Sequence, residues 1–78
     1  MTQKEYDVKM AELNVRSAEL RAKEAKIDME EGYKRLQSKM NMEYEALKAN
    51  YQQSLLDLEE SRLGLTSTKE AAEKPYDQ

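Results

Sequence analysis

Four successive heptads dominate the first half of the chain. Written in sevens from Glu5, the sequence reads EYDVKMA, ELNVRSA, ELRAKEA, KIDMEEG. Five of the seven positions hold one residue type or a close relative through at least three heptads. A repeat of seven at this fidelity is compatible with a helix that packs along a continuous seam and with little else. Val8, Ala11, Val15, Ala18, Ala22, Ala25, Met29 and Gly32 alternate at spacings of three and four and make that seam. Its side chains are small, so a neighbouring helix can approach closely. Tyr6, Leu13, Leu20 and Ile27 form a second apolar row. At ~100° per residue this row lies about 150–170° around the helix from the seam. A helix resting on a single core shows one apolar stripe, whereas two opposite stripes imply neighbours on both sides.

Charge follows the same repeat. Glu5–Lys9, Glu12–Arg16 and Glu19–Lys23 are spaced i,i+4 with the acid toward the N-terminus, the favourable order. Lys26–Glu30 reverses it. Across the whole chain 13 Lys and Arg face 16 Asp and Glu, for a net charge of −3. Both signs are interspersed throughout, and no block is basic enough to track a run of phosphates. Nucleic-acid binding is not expected.

Ala, Glu, Lys, Leu and Arg occupy 42 of 78 positions, which with the heptads points to long helix. Gly32, Gly64 and Pro75 are the only Gly and Pro residues. Thr2 and Glu5 fit a capping box at the start. Gly32 occupies the small-residue position of the repeat and reads as part of the seam. Tyr33-Lys34-Arg35 after it offers no N-cap.

Beyond Gly32 a stripe of large apolar residues runs through Tyr33, Leu36, Met40, Tyr44, Leu47, Tyr51, Leu55 and Leu58. Tyr33, Tyr44 and Leu55 are eleven apart, as are Leu36, Leu47 and Leu58. An eleven-residue repeat relaxes or reverses the left-handed supercoil. Leu56 and Leu63 fall beside this stripe. Gly64 reads as a helix stop and hinge, Ser67 and Glu70 as a second capping box, and Pro75 as the end of a short helix over about 68–74.

The expected fold is all-α. One long, nearly continuous helix over about 3–63 forms a coiled coil or multi-helix bundle with other chains, and a short C-terminal helix follows. The heptad part covers 5–32, the eleven-residue part 33–58, and the hinge, short helix and polar tail 64–78. A helical hairpin turning near Gly32 is the alternative. Either way the twenty seam and row residues from Tyr6 to Leu58 named above are the expected interface.

Chemistry is limited by what is missing. The chain has no Cys and no His, which removes thiolate and imidazole metal sites and every nucleophile–imidazole arrangement. Glu30-Glu31, Glu59-Glu60 and Asp57 read as a solvated face, because carboxylates on one exposed helix are neither desolvated nor set across a cleft. The tyrosines and methionines of the stripes read as packing residues. No catalytic residue, cofactor or metal is expected, and the chain is not read as an enzyme. No run approaches the ~20 apolar residues of a membrane span. The first residues have no apolar core of the signal-peptide kind. The expected setting is the cytoplasm, or a particle assembled there.

A chain with this repeat suits a non-catalytic structural or assembly subunit whose partners are protein, either copies of itself or a larger complex. In its long, charged, motif-free helical character it is similar to helical accessory and scaffold proteins of tailed-phage particles and other large assemblies. That similarity implies a virion or scaffold-type component. The alternative is a small acidic helical inhibitor or adaptor that fills a groove of one partner protein.

Overall fold

The structure is a computed structural model that describes residues 2–37 and 40–74. It contains two helices, α1 (Gln3–Leu36) and α2 (Met42–Glu73), packed against each other, with no strand among the described residues. The chain therefore folds as an antiparallel helical hairpin. Its longest dimension is 59 Å, whereas one helix over 3–63 would measure about 90 Å.

The start of α1 shows the N-cap half of the expected capping box, with Glu5 reaching back to the Thr2 hydroxyl. Thr2 Oγ1 accepts from the Glu5 backbone N–H at 3.1 Å and donates to Glu5 Oε1 at 3.0 Å. Gly32 sits inside α1, helical and buried, so the turn is not there. It comes five residues later. Gln37 closes α1 in the left-handed region at φ 51°, with its N–H on the Tyr33 carbonyl at 2.7 Å. Asn41 opens α2, its side-chain oxygen accepting from the Glu43 N–H at 2.7 Å, and Glu43 and Glu45 favour the positive end of the new helix.

The single rod over 3–63 is thus not formed, nor is a coiled coil with other chains needed to cover the small-residue seam. Val8, Ala11 and Met29 are half-buried, and Val15, Ala18, Ala22, Ala25 and Gly32 are buried, against the chain's own second half. The physical reason is that a rod leaves two long apolar seams in water. Folding back covers both at the cost of one non-glycine residue in the left-handed region, roughly 1–2 kcal/mol.

The facing side of α2 is also a heptad seam. Its buried and half-buried residues include Tyr44, Leu47, Tyr51, Ser54, Leu58, Ser61, Leu65, Thr68 and Ala72, at alternating spacings of three and four. The eleven-residue spacing of 33–58 does not describe this packing. Leu55 is exposed, and Met40 lies in the connection, nearly fully exposed. Ser54, Ser61 and Thr68 hold seam positions that an apolar pattern overlooks. Ser54 Oγ and Thr68 Oγ1 donate to carbonyls one turn back, Asn50 at 2.9 Å and Gly64 at 2.8 Å, so their polarity is satisfied within α2.

Gly64 is neither stop nor hinge. α2 runs through it to Glu73, which absorbs the expected short helix over 68–74. Leu58 and Leu65 pack on the Val15–Ala18–Ala22 seam on either side of Gly64, and that packing holds the helix together there. Pro75 and the polar tail lie outside the described residues.

The candidate interface: one filled seam and two outer rows

Within the seam, small residues of α1 meet larger ones of α2. Val15, Ala18, Ala22 and Leu58 form the buried cluster, with Leu65 packed against it. Ala18 is fully buried. Near the turn, Leu47 lies so close over Gly32 that a Cβ there would collide with Leu47 Cδ1. Tyr33 and Tyr44 meet edge to face with ring centroids 5.9 Å apart, a favoured aromatic geometry. Leu36 is half-buried and ends the α1 seam. Arg35 and Glu43 form an ion pair at 3.5 Å across the turn end, with both side chains largely exposed. At the other end Lys4 Nζ donates to the Lys74 carbonyl at 3.4 Å. Both contacts are exposed and weak, and they accord with the antiparallel register that the buried seam sets.

The second α1 row stands apart from all of this. Tyr6, Leu13, Leu20 and Ile27 are exposed at 50%, 52%, 60% and 45%. They project away from α2, as their position opposite the seam requires. The expected ion pairs beside them are not closed: Glu5–Lys9, Glu12–Arg16 and Glu19–Lys23 form no ion pair in the structure. Exposed pairs of this kind are worth only a few tenths of a kcal/mol, too little to fix two long side chains. Instead these side chains rim open hollows around the leucines. Lys9, Glu12 and Arg16 surround Leu13, and Arg16, Glu19 and Lys23 surround Leu20.

α2 carries a matching outer row that apolar spacing along a single rod does not reveal. Once the facing positions are known, Met42, Ala49, Leu56 and Leu63 fall seven apart on the side opposite the seam. All four are exposed. The hairpin thus has its apolar seam inside and one apolar row along each outer edge. Of the expected interface residues, those of the small seam, with Leu36, Tyr44, Leu47, Tyr51 and Leu58, lie between the helices. Tyr33 and Leu55 lie exposed at its margins.

No protein-family model matches the chain, and no curated protein or solved structure does. Its surface is the source of any functional reading. Among the described residues no group of three or more carboxylates is placed to hold a metal ion, and no helix is long and apolar enough to cross a membrane.

Proposed function

We infer that the hairpin is a non-catalytic assembly subunit that works by helix–helix packing along its outer edges. Its partners are protein, and its setting is the cytoplasm or a virion or scaffold-type particle built there. The observation that carries this reading is the pair of exposed apolar rows on a hairpin whose inner seam is already filled. Isolated exposed leucines are ordinary on any protein surface. Eight apolar residues at strict heptad spacing on two opposite edges are not scattered, and a row of that spacing suits packing against another helix.

The hairpin shape itself favours a second reading, a small acidic adaptor or inhibitor lying in one partner's groove. Such a ligand needs one apolar edge. The presence of two favours a subunit with neighbours on both sides.

Native mass measured in extracts of the cells that produce the protein tests both. The assembly reading predicts a complex far heavier than the 9.1 kDa chain, broken both by Leu20→Glu in α1 and by Leu56→Glu in α2. Loss of the complex with only one of the two variants supports the adaptor. A wild-type chain running at monomer mass in those extracts contradicts both.

A further inference from the structure

We propose that the turn end of the hairpin is a site of reversible methionine oxidation, with Met40 and Met42 as the residues that accept oxygen from a peroxide. The inference needs no partner and stands apart from the assembly reading.

Exposure separates the methionines. Met40 is 91% exposed in the connection, and Met42 is 88% exposed as the first residue of α2. Met10 is exposed at 41%, beside the open-end hollow that Lys4, Asp7 and Asn14 also line. Met29 is half-buried and lines a hollow with Glu30, Tyr33, Lys34 and Tyr44. Met1 lies outside the described residues. A thioether is oxidised at a sulfur lone pair, so the oxidant must reach the sulfur and water must solvate the departing group. The two turn-end side chains offer both conditions.

A peroxide alone balances the step. The sulfur lone pair attacks the near peroxide oxygen, and an S–O bond forms as the O–O bond breaks. The proton on the transferred oxygen passes to the departing hydroxide, which leaves as water. Sulfur gives up two electrons and the peroxide takes them. The product is a polar sulfoxide, which methionine sulfoxide reductases return to the thioether.

Position makes the change tolerable. The turn is held by the Gln37 N–H on the Tyr33 carbonyl and by the Asn41 side-chain oxygen on the Glu43 N–H, each at 2.7 Å. Neither bond uses a methionine side chain. A sulfoxide on Met40 or Met42 keeps its oxygen in water. At Met29 the same oxygen would enter the seam margin beside the Tyr33–Tyr44 pair, where a partly buried polar group without a partner costs stability. The turn end therefore takes oxidation that the seam does not.

Graded hydrogen peroxide on the dilute, folded full chain, read by peptide mass spectrometry and circular dichroism, tests the site. Met40 and Met42 are each expected to gain one oxygen as fast as they do in urea. Met29 is expected to react severalfold more slowly than in urea, because its sulfur is reached only on local opening. The chain oxidised at the turn end is expected to keep its helical signal and its Tm. The two reductases specific for the sulfoxide epimers are expected to restore both residues. The proposal is overturned if Met10 or Met29 is oxidised as fast as Met40 and Met42 in the folded chain, if the turn-end sulfoxides lower the Tm, or if the reductases leave them in place.

Discussion

The two glycines show how burial reverses the meaning of one residue type. Both lie inside helices, where glycine costs about 1 kcal/mol relative to alanine. At Gly64 a Cβ meets nothing within 4 Å. Gly64→Ala is therefore expected to stabilise the hairpin by about 1 kcal/mol in thermal or denaturant unfolding. At Gly32 the same change drives a methyl into Leu47 Cδ1. Leu47 Cδ1 is the far end of a half-buried side chain that must turn aside, which offsets the gain in helix propensity, so Gly32→Ala is expected to melt near wild type, without the gain of Gly64→Ala. Asn41 is decisive in another way, since its side chain supplies the α2 cap. Asn41→Ala is expected to cost about 1 kcal/mol and Asn41→Gly a few tenths, by the same measurement.

At the scale of the element, the antiparallel pairing makes a distance prediction. The chain has no cysteine, so single cysteines introduced at Gln3 and Glu73 label those sites alone. Dipolar spectroscopy is expected to find the labels about 20 Å apart or closer, against roughly 100 Å in a continuous helix. A long distance would refute the hairpin.

Much of α1 was legible from the amino-acid order, because its repeat is strict and its seam is wholly apolar or small. Its N-cap, its seam and its outward row all lie where the heptads put them. The turn was harder. Gln37 takes a left-handed conformation usually left to glycine, and the cap is Asn41, nine residues past Gly32. The register of α2 was hidden for a related reason. Ser54, Ser61 and Thr68 fill inward positions where apolar residues are sought, while Leu55, Leu56 and Leu63 are apolar and face outward or sideways. Hydrophobic spacing alone therefore gives an eleven-residue line that the packing does not follow. The outer row of α2 became visible only once the facing side was known.

For the whole molecule, the balance of inside and outside matters most. The buried apolar residues described are Val15, Ala18, Ala22, Ala25, Tyr44 and Leu58, four of them small. That is a thin core for two helices of 34 and 32 residues, and lone helical pairs of this kind are marginal in water. The apolar side chains on the two edges are larger than most of those within. In the assembly proposed above, covering the edges with further hairpins would supply stabilisation that the seam alone lacks. The stability of the fold is then tied to the number of copies present, as mass action requires of any protein stabilised by its neighbours.

Thermal unfolding of the purified chain at two concentrations about a hundredfold apart tests that link most directly. The account predicts a Tm higher by about 5–10 °C at the greater concentration, and no shift for the variant carrying both Leu20→Glu and Leu56→Glu. Superimposable wild-type melts at both concentrations, with a monomer mass at each, would contradict it.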